Sequence, residues 1–107
     1  MGHSVIFIET PIFTEDLLGL LSDDEYAEFQ KYLANNPLSG DVIQQTGGLR
    51  KIRWAAGGKG KRGGVRVIYY HVTVDSQIRL LLIYKKGIQD DLTAEQKKVL
   101  RYINERW

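Results

Sequence analysis

The spacing of hydrophobic and polar residues along the chain predicts four β-strands. The β-branched and aromatic run Ser4–Glu9 predicts the first strand. Runs of apolar residues that include basic ones predict three more, at Leu49–Trp54, Val65–Val72 and Ile78–Lys85. Val65–Val72 is mostly apolar on both faces, which predicts a central strand that is covered on both sides.

Capping residues and helical spacing predict three helices. The predicted N-caps are Thr10, which precedes Pro11, and Ser22 and Thr93, each of which opens a capping box. The predicted core-facing stripes are Tyr26, Phe29 and Leu33 in the second helix and Val99, Leu100, Ile103 and Trp107 in the third. The resulting order, β-α-α-β-β-β-α, predicts a single α+β domain over residues 1–107. Its sheet is expected to be mostly antiparallel, with the first two helices packed as a hairpin on one face.

Alternation also assigns the charged side chains of two strands to faces of the sheet. Lys51 and Arg53 share one face, whereas Ile52 and Trp54 share the other, which assigns Trp54 to the core rather than to base stacking. Arg66 is a charge at the end of an otherwise apolar strand, with no acidic residue near it in the sequence. Because a half-buried arginine needs a counter-charge, a ligand phosphate is its expected partner.

The last strand is predicted to return antiparallel after a turn at Asp75-Ser76. This arrangement would carry Tyr84, Lys85 and Lys86 back to the end of the sheet at which Arg66 lies. Strict alternation places Ile78, Leu80, Leu82 and Tyr84 on one face and Arg79, Leu81, Ile83 and Lys85 on the other.

The net charge of +2 conceals a strong asymmetry along the chain. Residues 1–46 carry eight acidic residues and one basic residue, whereas residues 47–86 carry ten basic residues and one acidic residue. A continuous basic block of this kind is typical of a surface that binds a polyanion. It is centred on Gly47–His71, whose lysines and arginines are Arg50, Lys51, Arg53, Lys59, Lys61, Arg62 and Arg66.

Composition excludes several classes of site. The chain has no cysteine, so it has neither disulfides nor thiolate metal sites, and its two isolated histidines form no metal cluster. No cofactor is therefore expected. No apolar run approaches the roughly 20 residues that span a bilayer, and the N-terminus lacks the layout of a secretory signal, so a cytoplasmic location is expected. The glycine-rich loop Ala55–Gly64 lacks the P-loop pattern and precedes a strand, which argues against nucleotide hydrolysis.

A cationic site without a metal can still cleave RNA, because RNA supplies its own 2′-hydroxyl as the nucleophile. A base must take the hydroxyl proton, an acid must protonate the leaving oxygen, and cations must stabilise the charge that builds on the phosphate. Candidate bases or acids are Lys51, Lys59, Lys61 and Lys86, candidate charge clamps are Arg53, Arg62 and Arg66, and Tyr84 is a candidate for stacking on a base or orienting a phosphate. His71 is interpreted as a structural residue.

The run GGLRKIRWAAGGKGKRGGVRVIYYH, followed by LLIYKKGIQDDLTAEQKKVL, resembles the RelE/HigB toxins of bacterial type II toxin–antitoxin systems. It is most similar to the members with a Gly-Lys-Gly-Lys-Arg-Gly-Gly loop, and the resemblance covers the whole chain. It implies a compact RelE/ParE-like fold and a ribosome-dependent endoribonuclease, an mRNA interferase that cleaves mRNA in the A site and inhibits translation. The implied partners are the 70S ribosome, mRNA and a cognate antitoxin of the helix-turn-helix, HigA-like kind, with no membrane.

The resemblance also implies site residues. The paired basic positions of the family's second strand fall on Lys51 and Arg53, and the arginine of its Gly-x-Arg-x-x-Tyr motif falls on Arg66. The basic residue after the last strand matches Lys86, with Lys85 as the alternative.

The sequence departs from the best-known members, which place a tyrosine for base stacking near the C-terminus. Either Tyr84 takes that role or the chemistry relies on the loop lysines Lys59 and Lys61. Arg50 and Arg62 are expected to extend the surface that binds RNA and the ribosome. Two alternative functions stay open at this point, a non-catalytic nucleic-acid or ribosome binder and a gyrase-targeting toxin of the same fold.

Overall fold

The structure, a computed structural model, describes residues 4–55, 64–89 and 91–107. It is an α+β arrangement of three helices and one five-stranded sheet. In these described ranges, no helix is both long enough and apolar enough to cross a membrane.

The sheet is mostly antiparallel and has the strand order β1-β5-β4-β3-β2. The strands are β1 (Ile6–Glu9), β2 (Asp41–Val42), β3 (Arg50–Trp54), β4 (Val65–Val72) and β5 (Gln77–Lys85). Only β1 and β5 pair in parallel among these neighbours. The predicted central position of β4 is confirmed, whereas β2 lies in a segment for which no strand was predicted. A two-residue strand carries too little alternation to be recognised.

The three predicted helices are confirmed, together with their caps. They are α1 (Pro11–Leu17), α2 (Asp23–Asn35) and α3 (Ala94–Glu105). The hydroxyl of each N-cap, Thr10, Ser22 and Thr93, accepts a hydrogen bond from a backbone N–H in the first turn. Ser22 and Thr93 form the complete capping boxes that their sequence spacing predicts.

The helices cover both faces of the sheet. Phe13 of α1 and Phe29 and Leu33 of α2 are fully buried with the β4 residues Val67 and Tyr69. On the opposite face, α3 contributes to a smaller core whose buried members are Leu49, Ile68, Leu81, Tyr84, Leu92 and Leu100. The helical hairpin therefore packs on one face, as predicted, and α3 packs on the other.

A hydrogen-bonded cluster ties β1 to the helical hairpin. The Glu9 carboxylate accepts from the Tyr26 hydroxyl at 2.5 Å and from the Thr14 hydroxyl at 2.6 Å. Burial, and then the hydrogen bond and charge of Glu9, raise the pKa of Tyr26 well above its usual range. The neutral phenol is therefore the form that holds α2 against β1.

The predicted faces of β5 are correct through Leu81 and wrong from Leu82 onwards, because the β4–β5 pairing contains a β-bulge. Ile68 pairs with Leu82 but the next residue, Tyr69, pairs with Leu80, so Leu81 has no opposite residue. The extra residue reverses the alternation. Ile83 thus joins the core under the helical hairpin, whereas Leu82 and Tyr84 join the core under α3.

The predicted core stripe of α3 is also mostly wrong. Leu100 is buried, but Val99 and Ile103 are 47% and 38% exposed. The physical reason lies at Asn104, whose carbonyl and side-chain oxygens both accept hydrogen bonds from the Arg79 guanidinium at 3.1 Å. Satisfying this half-buried arginine turns Asn104 inward and leaves the neighbouring apolar side chains outward.

Candidate nucleic-acid interface

Three functional candidates form one row across the sheet. Arg66 of β4 pairs with Arg53 of β3 on one side and with Tyr84 of β5 on the other. Directly paired residues on neighbouring strands project to the same face with their Cβ atoms about 5 Å apart. The bulge is what brings Tyr84 to this face, since without it Tyr84 would point to the other side of the sheet.

Both arginines of this row have their charges available to a ligand. Arg53 is exposed and Arg66 is half-buried. Within the described residues, no carboxylate lies within 4.0 Å of either guanidinium. The two ion pairs among these residues are formed by other side chains, Lys51 with Asp91 and Arg101 with Glu105. Neither guanidinium has a described acidic partner, so the two adjacent groups are suited to bind a phosphate. Arginine binds phosphate in a bidentate manner.

The end of the hairpin places Lys86 beside this row. The backbone N–H of Lys86 donates to the Gly64 carbonyl at 3.0 Å, which continues the β4–β5 pairing beyond Val65 and Lys85. The result is an open cleft of about 310 Å³. The described residues that line it are Arg53, Trp54, Ala55, Gly64, Arg66 and Lys86.

Gly64 is required at the floor of this cleft for steric reasons. A Cβ atom at this position would lie 2.9 Å from the carbonyl oxygen of Trp54 and 3.8 Å from Nη1 of Arg66. The clash with Trp54 is with backbone, which cannot move aside without shifting β3. The glycine thus allows β3 and β4 to approach where the two arginines meet.

Lys51 lies on the same face but is already engaged. Its Nζ is 3.3 Å from the Asp91 carboxylate, and its side chain is only 19% exposed while that of Asp91 is 86% exposed. An ion pair with one fully hydrated partner is weak, so Asp91 can be displaced by a stronger anion. Lys51 and Arg53 both line a further cleft, which extends towards Lys97 of α3.

Two predicted residues lie on the opposite face of the sheet. Arg50 points towards the helical-hairpin side, where its guanidinium donates to the carbonyls of Leu38 and Gly40 at 3.3 and 2.7 Å. Lys85 is exposed on that same side. The structure therefore does not bring Arg50 and Lys85 to the Arg53–Arg66 row, and it favours Lys86 over Lys85 as the basic residue after the last strand.

Four predicted site residues remain, of which three lie outside the described part of the chain and one is buried. Lys59, Lys61 and Arg62 lie outside the described residues. Tyr84 is 9% exposed and packs among the apolar residues under α3. A ring this enclosed offers little surface for stacking on a base, so its place in the row suits support of Arg66 better.

Alternation assigns Trp54 to the core, but the structure places it only partly there. Its indole packs against the buried cluster under the helical hairpin, yet it is half-buried and lines the cleft. Tyr32 of α2, which was not predicted, lies beside it. The available signal was that Trp54 ends its strand directly before a loop that is rich in glycine and has few large apolar side chains to pack against a ring.

The Arg66 cleft carries cations but few side chains that could act as an acid or a base. Among the described residues, no group of three or more His, Asp or Glu side chains is placed to hold a metal ion. Apart from the two arginines, Lys86 is the one described residue of the Arg66 cleft with an ionisable side chain, and this side chain can exchange a proton. The surface can therefore bind a phosphate, stabilise added negative charge on it and supply a proton from one side. No protein-family model matches the chain.

Proposed function

We propose that this protein is a toxin of a type II toxin–antitoxin system, a ribosome-dependent endoribonuclease that cleaves mRNA in the A site. The observation that carries the proposal is the pair of directly opposed arginines, Arg53 and Arg66, at a cleft with no described acidic partner. Like charges opposite each other weaken a sheet. Their retention at the mouth of a cleft is explained by an anionic ligand that both arginines bind.

RNA is the ligand that fits both the charge and the proposed chemistry. The 2′-oxygen attacks the adjacent phosphorus, the O2′–P bond forms, and the P–O5′ bond breaks. The products are a strand ending in a 2′,3′-cyclic phosphate and a strand beginning with a 5′-hydroxyl. Arg66 and Arg53 stabilise the additional negative charge on the non-bridging oxygens as the fifth bond to phosphorus forms.

Proton transfer is assigned to lysine. Lys86 lines the cleft and its side chain is a hydrogen-bond donor, so we assign to it the transfer of a proton to the leaving 5′-oxygen. The base that takes the 2′-hydroxyl proton is proposed to be one of the loop lysines, Lys59 or Lys61. The ribosome contributes by holding the mRNA with its 2′-hydroxyl in line for attack, since positioning alone can supply a large part of a rate enhancement.

The proposal includes a regulatory partner. The sequence resemblance to RelE/HigB toxins implies a cognate antitoxin of the helix-turn-helix, HigA-like kind, which would keep the toxin inactive. We propose a cytoplasmic location on the same basis, because the ribosome and mRNA are found there.

The experiment is primer extension on a defined mRNA that is translated in a purified system, with wild-type protein and with ribosomes present or omitted. The expected result is a set of cuts in register with codons, present only with ribosomes. The upstream fragments should accept a 3′ adapter only after their cyclic phosphate is removed. Intact mRNA in the presence of translating ribosomes would overturn the proposal. In that case, binding without cleavage would indicate a nucleic-acid or ribosome binder, and DNA breaks in a gyrase assay would indicate a gyrase-targeting toxin.

A further inference from the structure

Two aromatic side chains meet at the outer edge of β3. The ring centroids of Tyr32 and Trp54 are 5.4 Å apart, with their planes at 44°. Trp54 also contacts the fully buried Phe29 in a T-shaped arrangement, at a centroid distance of 5.4 Å and an angle of 73°. The core therefore fixes the position of the indole, while Tyr32 remains 41% exposed.

The shortness of β2 opens this edge of the sheet. β2 pairs only with Arg50 and Lys51, so no described strand covers β3 from Ile52 to Trp54 on that side. Side chains from both faces of β3 can therefore reach the same edge. Arg53 comes from the face that carries Arg66, and Trp54 comes from the face that carries the helical hairpin.

The aromatic pair and the arginines share continuous surface. A second cleft at this edge is lined by both Tyr32 and Trp54, by two cations, Lys51 and Arg53, and by one acidic residue, Asp41. Arg53 and Trp54 line the Arg66 cleft as well. A strand whose phosphate lies between Arg53 and Arg66 can therefore continue past Trp54 into the second cleft, where Tyr32 lies.

We infer that Tyr32 and Trp54 form a nucleobase-stacking subsite, which binds one unpaired base next to the phosphate held by Arg53 and Arg66. The inference rests on the proposed function, since its ligand is single-stranded RNA. Aromatic rings beside a cationic groove are the usual means of binding an unpaired strand, because every base has a face that can stack. Trp54 is only half-buried and lines both clefts, so the core does not enclose it completely.

Tryptophan fluorescence can test this subsite directly. The chain has two tryptophans, so Trp107→Phe leaves Trp54 as the one reporter and keeps a ring next to Arg79. The probes are a short 2′-O-methyl RNA oligonucleotide, which cannot be cleaved, and an abasic strand with the same number of phosphates. The base-bearing strand should quench Trp54 fluorescence on binding, and the abasic strand should bind more weakly without quenching.

Tyr32 supplies the matched variants, because it is more exposed than Trp54 and its loss should not unfold the core. In the Trp107→Phe background, Tyr32→Leu should weaken binding of the base-bearing strand about tenfold, within the range found for loss of one stacking partner. Tyr32→Phe keeps the ring and should bind the base-bearing strand with an affinity within about twofold of that of the parent protein. The affinity of either variant for the abasic strand should also stay within about twofold of the parent value.

The outcomes separate this subsite from the proposed function. Equal binding of both probes with no quenching would overturn the stacking subsite while leaving the phosphate-binding cleft in place. Quenching with no loss of affinity in Tyr32→Leu would overturn the assignment of Tyr32 to the subsite. Failure of both probes to bind at low salt would overturn the subsite and the phosphate-binding cleft together.

Discussion

Arg53 and Arg66 face each other directly across two antiparallel strands, and the structure describes no carboxylate within 4.0 Å of either. Such a pair costs folding free energy in the absence of a ligand. A phosphate bound between the guanidinium groups would convert their mutual repulsion into a shared attraction. The two residues thus link a local weakness of the fold to a binding site.

Replacing one of these arginines should improve stability and impair binding. For Arg53→Gln we expect the free energy of unfolding to rise by about 0.2–1 kcal/mol, because the repulsion of Arg66 is removed. We expect the affinity for single-stranded RNA to fall, and the slope of log K against log salt to become shallower by about one phosphate contact. Urea denaturation and salt-dependent binding titrations measure these two effects.

Lys98→Gln is the matched control for this change, since Lys98 is an exposed cation on α3, outside the cleft. It should leave both stability and RNA affinity close to wild type. A destabilised Arg53→Gln protein, or one whose salt slope matches that of Lys98→Gln, would argue against the arginine pair as a phosphate site.

Gly64 should not tolerate a methyl group. In Gly64→Ala the new Cβ would lie 2.9 Å from the Trp54 carbonyl oxygen, so β3 must shift, and we expect a loss of about 1–3 kcal/mol of stability. RNA affinity should fall as well, because the shift separates Arg53 from Arg66. Gly19→Ala is the control, because a Cβ atom added at Gly19 would have nothing within 4 Å of it. Equal unfolding midpoints for the two variants would contradict the account of Gly64.

Asp91 is expected to compete with RNA for Lys51. Asp91→Asn removes an exposed ion pair, which should change stability by less than about 1 kcal/mol, and it removes one carboxylate from beside the half-buried Lys51 ammonium. We expect RNA affinity to rise at low salt. Glu105→Gln removes an exposed carboxylate paired with Arg101 on the far part of α3 and serves as the control for net charge. If both variants bind RNA equally well, Asp91 does not compete with RNA for Lys51.

Stability should decline in alkaline solution above pH 10. Burial raises the pKa of both Tyr26 and Tyr69 above the ordinary value of 10.0. The folded protein then holds these protons more tightly than the unfolded chain, so the stabilisation is complete below pH 10 and is lost as the pH rises above it. Melting temperatures measured from pH 8 to strongly alkaline pH should show this loss, with a shallower decline in Tyr26→Phe. A wild-type melting temperature that stays constant above pH 10 would contradict this prediction.

The positions of the central residues could be predicted from the sequence because β3 alternates clearly and β4 is mostly apolar on both faces. Lys51 and Arg53 share a face in the structure, and Arg66 lies at the end of a central strand, as the pattern indicates. A charged residue between apolar ones reveals its face directly. The N-caps were equally predictable, because a capping box is a local interaction.

The errors arose where the relevant interaction is not local. The run of apolar residues around Leu81 fits either face, so nothing in β5 alone reveals the bulge that redirects Tyr84. The rotation of α3 depends on Arg79, which precedes Asn104 by 25 residues and binds it across the fold. Each of these requires knowledge of the tertiary partner.

The most direct test of the central claim is the rate of mRNA cleavage on purified ribosomes under single-turnover conditions, for wild type, Arg66→Ala and Lys98→Ala. If Arg66 stabilises the transition state, Arg66→Ala should slow cleavage by about 100-fold or more while its ribosome binding changes by the small, salt-sensitive amount expected for one lost cation. Lys98→Ala should cleave like wild type. Cleavage by Arg66→Ala at the wild-type rate, or no cleavage by the wild-type protein, would contradict the account.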